Sequence, residues 1–314
     1  MSPPAAIPSL RARLTGAVWG HLVGDAAGVP YEFRPPEQIG TFVFGASGTH
    51  GQPPGTWSDD GALMLALLDS LTQAGFDPED QGRRICAWYR SGAYAPGGLV
   101  FDVGNTTLTA IRALEAGVPA LQAGPTGQWS NSNGSLMRVL PLALVGRDMS
   151  DAELIAQARR ASCVTHGALA PQLACALYVL TVRELLRGAA PLPALTRAAL
   201  AVQGTLVKPH EADLLTLDEL WRFSKRSGDG YIADSFHSAF DAFAGAANYV
   251  ETIERAIRFG HDTDTTAAIA GGLAGAYFGL NAIPVEWLER MRGGEIVTPL
   301  LERLLAGVDP DERA

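Results

Sequence analysis

Two acidic stretches, one near the start of the chain and one near its carboxyl end, carry the side chains best suited to chemistry. They read "WSDDG" from Trp57 and "GHDTDTT" from Gly260. Alone, each is typical of a helix N-cap, because hydroxyls and carboxylates at a helix start pair with free backbone N–H groups. Together they supply only hard oxygen donors, the ligands that Mg²⁺, Mn²⁺ or Ca²⁺ prefer. If the two helix starts converge, cations must offset the crowded negative charge.

Two further stretches offer a carboxylate and a loop suited to an anion. In "GHLVGDAAGVPYEF", a turn either points Glu32 into a pocket or leaves it on the solvent side of a helix end. In "WSNSNGSLMRVLPLAL" from Trp129, a polar loop leads into an apolar helix, whose free N–H groups can bind phosphate. The loop can instead cap that helix through Asn133 or Ser135, and Pro141 then bends or terminates it.

Three other segments each allow two interpretations. His166 in "CVTHGAL" is either a satisfied core histidine or a donor to a sugar hydroxyl. Tyr231 in "SGDGYIADSF" either stacks on a base or closes a loop onto the core. In "FDVGNTT", Asp102, Asn105 and Thr106 fit a functional role and turn formation before a helix equally well.

Helical periodicity dominates the elements that must position these residues. Apolar side chains recur at three- and four-residue steps, and no comparable set of alternating strands occurs. Long irregular stretches rich in Gly, Pro, Ser or Asn separate the helical segments, and loops of such length usually carry function. The sequence predicts one all-helical domain over residues 1–314, with frayed ends at about 1–8 and 309–314.

The apolar segment 267–283 carries Gly271, Gly275 and Gly279 at four-residue spacing. It is shorter than the roughly twenty apolar residues of a membrane span, and it follows directly on acidic residues. The pattern therefore indicates a buried helix whose glycine face lets neighbouring helices approach closely. No membrane partner is expected.

Bulk composition narrows the class of protein. The net charge of -9 and the isoelectric point near 5.2 argue against a surface built mainly for nucleic-acid phosphates. The three cysteines form no CxxC pair, which argues against a disulfide framework or a cysteine zinc site and favours a reducing cytoplasm. The first residues do not resemble a signal peptide. A monomer is expected because no heptad pattern or long exposed apolar stripe occurs.

The ordered set "GDAAGVPYEF", "WSDDG", "DVGNTT", "NSNGSLMR", "THG" and "GHDTDTTAAIAGG" resembles the ADP-ribosylglycohydrolases. This family includes dinitrogenase reductase-activating glycohydrolase and the ADP-ribosyl-acceptor hydrolases. The matching blocks lie within residues 20–279, and six blocks in this order are far more specific than any one of them. Two positions depart from the pattern: His261 stands where several relatives carry glycine, and Gly61 where threonine is frequent. His261 adjoins an implied ligand, so it bears on the hydrogen bonds around the site.

The resemblance implies an all-α fold, a single compact orthogonal helical bundle of the ADP-ribosylglycohydrolase type with a binuclear metal cleft. The cleft would hold two Mg²⁺ or Mn²⁺ ions. Carried over position by position, the first implied ligand group is Ser58, Asp59 and Asp60, and the second is Asp262, Asp264 and Thr265. Glu32 matches the mobile acidic residue that the family places beside the metals.

The resemblance also implies how the substrate is held. His166 matches a ribose contact, and Tyr231 matches a residue beside the bound nucleotide. The segment that holds the diphosphate matches Ser130, Asn131, Ser132, Asn133, Gly134, Ser135 and Leu136.

The implied reaction is hydrolysis at the anomeric carbon of the distal ribose, which releases free ADP-ribose from a modified acceptor. Charge builds toward an oxocarbenium ion, and a binuclear metal site can orient the ribose hydroxyls and polarise a water. Glu32, or a metal-site aspartate such as Asp59, is expected to transfer the proton that the reaction needs.

The acceptor stays open at this stage. Arginine or serine of a protein, O-acetyl-ADP-ribose, poly(ADP-ribose) or a modified nucleic acid can each present the same group, although the net charge disfavours large nucleic acids. The loop 34–56 is expected to form the lip that distinguishes them. Two other classes are a non-catalytic ADP-ribose binder that kept the cleft and a two-metal phosphohydrolase that cuts the pyrophosphate.

Overall fold

The computed structural model describes residues 7–127, 129–205 and 211–309. In these ranges the chain forms fifteen α-helices and no β-strand, so the all-α fold class is confirmed. The ends for which fraying is predicted lie mostly outside the described residues. The helices are α1 (Leu10–Gly28), α2 (Asp59–Ala74), α3 (Pro78–Ser91), α4 (Asn105–Glu115), α5 (Ala120–Ala123), α6 (Leu140–Val145), α7 (Asp151–Cys163), α8 (Leu169–Leu186), α9 (Pro191–Thr205), α10 (Glu211–Arg222), α11 (Ile232–Ala244), α12 (Tyr249–Ile257), α13 (Thr263–Phe278), α14 (Val285–Leu288) and α15 (Gly294–Leu304).

Helices α1 and α13 run antiparallel at the centre of the molecule and are buried along most of their length. Their backbones approach closely through small residues. A Cβ atom at Gly24 would lie 2.1 Å from the carbonyl oxygen of Ala267, and one at Gly271 would lie 2.2 Å from that of Gly20. The close-packed glycine face expected for the segment 267–283 is therefore confirmed. The partner face on α1 consists of Gly16, Gly20, Gly24 and Gly28.

The carboxyl end of α1 is joined to the start of α13 by hydrogen bonds. The hydroxyl of Thr263 donates to the carbonyl oxygen of Gly28 at 2.8 Å. Just beyond the helix end, the N–H of Phe33 donates to the carbonyl of His261 at 2.6 Å, and the N–H of His261 donates to that of Arg34 at 2.7 Å. The segment after α1 therefore stays beside the acidic start of α13.

Helix α2 starts at the same junction. It packs against α1, α6, α13 and α15, and its first three turns are buried. The remaining helices surround this centre, with α8 in contact with α6, α7, α9 and α11. The two acidic stretches thus belong to helices that share one core.

Within the described residues, α8 is the one helix long and apolar enough to cross a membrane by length and composition. Inside the protein, 89% of this helix is buried. It packs as a core helix of the bundle.

The polar loop before α6 differs from the sequence expectation. Residues 134–138 form consecutive turns, and the N–H groups of Leu136 and Met137 both donate to the carbonyl of Asn133. Helix α6 starts only at Leu140, with Pro141 in its first turn. The expectation that Pro141 bends or terminates the helix is wrong. Proline lacks a backbone N–H, but N–H groups in the first turn have no partner within the helix, so proline is accepted there.

Gly24→Ala tests the close approach of the two central helices. The added methyl would meet the Ala267 carbonyl, so we expect the free energy of unfolding to fall by about 1–3 kcal/mol. Gly204→Ala in α9 is the matched control, since a Cβ there meets no described atom within 4 Å. Helix propensity should make the control more stable by up to about 1 kcal/mol. Urea unfolding followed by circular dichroism measures both, and equal effects would contradict the packing argument.

Candidate active site

The two acidic stretches meet at one point. The hydroxyl of Thr265, in the first turn of α13, donates to Oδ2 of Asp60 at 3.2 Å. Asp60 lies in the first turn of α2, which Ser58 caps by accepting a hydrogen bond from the Asp60 N–H. The two helix starts therefore converge, which is the condition for a shared cation site.

Asp25 of α1 holds the start of α2 in place. Its carboxylate accepts hydrogen bonds from the N–H of Ser58 at 2.9 Å and from the N–H of Gly61 at 2.7 Å. Burial raises the pKa of Asp25 to about 7, although these hydrogen bonds act in the opposite direction. Asp25 therefore contributes to the site by orienting the α2 residues.

A cleft of about 340 Å³ opens above this junction. Carboxylate oxygens of Glu32, Asp262 and Asp264 lie within 4.8 Å of one another. No lysine or arginine is among the described residues that line the cleft. The lining consists of Glu32, Asp59, Asp60, Asp102, Gly104, Asn105, Thr106, Thr107, Trp129, Ser132, Asn133, Gly134, Met137, His166, Asp262 and Thr265.

Burial and mutual repulsion disfavour the charged forms of these carboxyl groups. The pKa values of Asp59, Asp60 and Asp264 are raised well above the ordinary range, first by burial and then by the neighbouring carboxylates. The same two causes raise the pKa of Glu32 to about 10. A cluster with this many acids needs either protons or a cation to balance its charge.

Two carboxylate oxygens of the cluster are unpaired within the described part of the chain. Asp60 Oδ1 and Asp264 Oδ2 are buried and accept no hydrogen bond from any described residue. Buried carboxylate oxygens are normally paired, so an unpaired oxygen indicates a missing group. Carboxylate and hydroxyl oxygens form the donor set that Mg²⁺ or Mn²⁺ requires, and the residues present therefore fit such an ion.

Asn133 links the polar loop to the acidic cluster. Its side-chain amide donates to Oδ2 of Asp262 at 2.7 Å and to Oγ of Ser235 at 2.9 Å. The N–H of Asn133 also donates to the carbonyl of Gly230 at 3.1 Å. The amide therefore fixes the orientation of Asp262 while the loop stays at the cleft wall.

His166 reaches the same wall from the turn after α7. Its Nε2 atom lies 2.9 Å from Oγ of Ser132, which in turn lies 3.1 Å from Oγ1 of Thr106. A Cβ atom at residue 134 would lie 2.8 Å from His166 Cε1, so Gly134 leaves room for the ring. His166 is thus a buried histidine that also lines the cleft.

Only part of the segment 130–136 lies in the cleft. Ser132, Asn133 and Gly134 line it, whereas Leu136 belongs to the hydrophobic core and the Ser135 hydroxyl bonds to Ser162. Ser130 is buried, and its N–H donates to the carbonyl of Gly127.

Asn131 and Tyr231 line a separate depression of about 200 Å³. It adjoins the cleft through Ser132, whose backbone bridges to that of Tyr231. The Tyr231 ring is partly exposed and packs against Phe223, with ring centroids 5.4 Å apart.

Two further residues stand beside Glu32. His50, from the loop 34–56, makes a short contact from Nε2 to Oε2 of Glu32. Asp102 is also close. One carboxylate oxygen of Asp102, one of Glu32 and a ring nitrogen of His50 all lie within 4.8 Å of one another. The sequence carries no signal for His50, since a lone histidine in an irregular loop belongs to no spacing pattern, whereas Asp102 fits a functional role and turn formation equally well.

The backbone of His261 is in the left-handed region, with φ of 59°. Glycine adopts this conformation without strain, which accounts for a glycine being acceptable at this position. Residue 261 contributes to the site through its backbone. Its carbonyl accepts a hydrogen bond from the N–H of Phe33, and its N–H donates to the carbonyl of Arg34.

Comparison with known proteins finds relatives over almost the whole chain. A family model described as ADP-ribosylglycohydrolase matches residues 6–313. ADP-ribosylarginine hydrolase Tri1 of Pseudomonas putida (strain GB-1) is 30% identical, over 93% of this chain and 77% of the relative. The ADP-ribosyl-dinitrogen reductase glycohydrolase of Rhodospirillum rubrum is 29% identical, over 90% and 92%. A solved structure described as an ADP-ribosylglycohydrolase-related protein complex superimposes with a TM-score of 0.77 at 33% identity, covering 95% of this chain and 98% of that one.

Asp264→Asn tests whether the cluster is built for a cation. In the absence of divalent cations, we expect the variant to be at least as stable as the wild type, because a buried repelling carboxylate becomes a neutral amide. Added Mg²⁺ or Mn²⁺ should raise the Tm of the wild type, and that increase should be largely lost in the variant. Calorimetry measures both effects, with Asp148→Asn as the control because that side chain is 87% exposed. Equal stabilisation of variant and wild type by cations would contradict a site at Asp264.

Proposed function

Because the chain belongs to the ADP-ribosylglycohydrolase family and is therefore a hydrolase, we propose that it releases ADP-ribose from modified arginine side chains of proteins. The reaction would depend on two bound Mg²⁺ or Mn²⁺ ions. The observation that carries this proposal is the meeting of two acidic helix starts in one cleft, at the hydrogen bond between Thr265 and Asp60.

The proposed cation ligands belong to the starts of α2 and α13. The unpaired oxygens of Asp60 and Asp264 support their assignment, and the hydrogen bond from Asn133 would hold Asp262 in its coordinating orientation. When bound, the cations would supply Lewis-acid chemistry and orient the hydroxyls of the distal ribose. The full proposed set is Ser58, Asp59, Asp60, Asp262, Asp264 and Thr265.

The bond that breaks joins the anomeric carbon of the distal ribose to a guanidine nitrogen of the acceptor. The oxygen of water ends on the ribose, and a proton ends on the leaving nitrogen. Positive charge spreads over the ribose in the transition state. The carboxylates of Asp59 and Asp262, which line the cleft, would stabilise that charge.

We assign the proton transfer to Glu32 in preference to Asp59. Burial, and then the nearby Asp102, raise the pKa of Glu32 to about 10, so this side chain holds a proton at neutral pH in the cation-free protein. A cation would lower that pKa and favour release of the proton. The contact with His50 Nε2 would hold the Glu32 carboxyl group in place beside the cleft.

The charge of the cleft supports arginine rather than serine as the acceptor. With cations bound, which lower their pKa values, Glu32 and Asp102 would be negatively charged, and the described lining contains no lysine or arginine to oppose a cationic ligand. A guanidinium group gains electrostatic energy in such a site, whereas a serine oxygen does not. The relative from Pseudomonas putida is likewise named for ADP-ribosylarginine.

The nucleotide end of the substrate would lie along the polar loop. Ser132, Asn133 and Gly134 are the residues of the segment 130–136 that line the cleft, so we place the diphosphate there. Tyr231 and Asn131 line the adjoining depression, which would take the base.

Product analysis tests the reaction and the acceptor together. Peptides that carry ADP-ribose on arginine or on serine are incubated with Mg²⁺, with Mn²⁺ and with a chelator, and the products are identified by mass spectrometry. We expect intact ADP-ribose from the arginine peptide only when a cation is present. AMP and ribose phosphate would instead indicate a phosphohydrolase. Release from the serine peptide alone would contradict the acceptor, and binding without release would indicate a non-catalytic binder.

Glu32→Gln tests the proton-transfer assignment. We expect kcat to fall by about 10²- to 10⁴-fold, because the amide does not transfer a proton, while the Kd for ADP-ribose stays nearly unchanged. Asp59→Asn is the comparison variant, since a cation ligand should lose cation-dependent stabilisation as well as turnover. Comparable losses of turnover and ADP-ribose binding in Glu32→Gln would remove Glu32 from this role.

A further inference from the structure

Arg138 is a buried cation without an acidic partner among the described residues. It is 1% exposed, and its Nη2 donates to the carbonyl of Ala161 at 2.7 Å and to Oγ1 of Thr165 at 2.8 Å. A buried guanidinium without a carboxylate partner lowers the free energy of unfolding, so its presence here indicates a role other than stability. The contact between Thr165 and His166 indicates what that role is.

Thr165 stands between Arg138 and His166. Its Oγ1 lies 2.9 Å from Nδ1 of His166, and both residues are fully buried. A guanidinium only donates hydrogen bonds, so the Thr165 oxygen accepts from Arg138 and its own hydroxyl hydrogen needs an acceptor. The other described contact of that hydroxyl is Nδ1 of His166.

The alternative arrangement leaves a buried group unsatisfied. If Nδ1 carried the proton, Thr165 would accept twice and its hydroxyl hydrogen would have no acceptor among the described residues. If Nδ1 accepts, the hydroxyl hydrogen of Thr165 has its acceptor and Nε2 of His166 carries the proton. The pairing thus selects one tautomer of the neutral ring.

The chain of hydrogen bonds continues from His166 into the cleft. With its proton on Nε2, His166 donates to Oγ of Ser132 at 2.9 Å. The Ser132 hydroxyl then donates to Oγ1 of Thr106 at 3.1 Å, which leaves the Thr106 hydroxyl hydrogen for a ligand. Ser132, Thr106 and His166 all line the cleft.

Protonation of both ring nitrogens is disfavoured at neutral pH. Burial, and then the charge of Arg138, lower the pKa of His166 to about 3. The ring is therefore neutral, and its single proton has one position.

We infer that Arg138 and Thr165 are positioning residues that fix the tautomer of His166, so that the hydrogen bonds through Ser132 leave the Thr106 hydroxyl to donate to an oxygen of the bound ADP-ribosyl group. The inference rests on the proposed function for the identity of the ligand, but the tautomer itself does not. His166 acts here as a donor, and it is not a proton acceptor in the reaction.

The tautomer is measured by long-range ¹H–¹⁵N correlation on cation-free, ligand-free protein labelled with ¹⁵N-histidine. His166→Gln identifies the resonances of His166 by their disappearance. We expect Nε2 protonated and Nδ1 unprotonated in the wild type and in Thr165→Ser, which keeps the hydroxyl. Thr165→Asp should place a proton on Nδ1, because a carboxylate accepts hydrogen bonds from Arg138 and from the ring at once.

A proton on Nδ1 in the wild type overturns the inference, and so does an unprotonated Nδ1 in a folded Thr165→Asp variant. If that variant does not fold, the wild-type spectrum decides alone. The Kd for ADP-ribose should rise roughly tenfold in Thr165→Asp and stay unchanged in Thr165→Ser. If the wild-type protein has the expected tautomer but no hydrolase activity, the proposed function fails while this inference stands.

Discussion

The closeness of α1 and α13 is the constraint on which the site depends. Their backbones are in contact because glycine or alanine occupies the facing positions, for instance Gly20 opposite Gly271 and Gly24 opposite Ala267. The antiparallel arrangement brings the carboxyl end of α1 to the start of α13. Glu32 therefore reaches Asp262 and Asp264 without a long flexible connection, and a change in helix separation would alter the distances within the acidic cluster.

This geometry opposes the stability of the cation-free protein. Several carboxyl groups are buried together, and burial and mutual repulsion raise their pKa values, so the folded state disfavours their charged forms. Hydrogen bonds offset part of the cost, notably those that Asp25 accepts from α2 and that Asp262 accepts from Asn133. The oxygens that remain unpaired are the ones that a cation would satisfy. The fold thus holds a cluster whose charge balance depends on what binds to it.

The cleft combines two surfaces of opposite character. Its floor is acidic and suits a cation and a developing positive charge, whereas its wall at Ser132, His166 and Thr106 is a chain of hydrogen bonds that presents the Thr106 hydroxyl to a ligand. A ligand with a cationic acceptor at one end and an anionic diphosphate at the other can satisfy both surfaces. The buried charge of Arg138 orients this chain through Thr165 without lining the cleft.

The sequence by itself determined the helical class, the glycine-lined core helix and the family, because periodicity, composition and motif order are local properties of the chain. It also identified both acidic stretches, yet their meeting at Thr265 and Asp60 depends on helix packing across more than half of the chain. The roles of His50, Asp25 and Arg138 became visible only in the tertiary structure, since each acts on a residue that is distant in sequence. Likewise, only the fold decided that Ser132 to Gly134 face the cleft while Leu136 faces the core, because a series of turns sets the direction of each side chain.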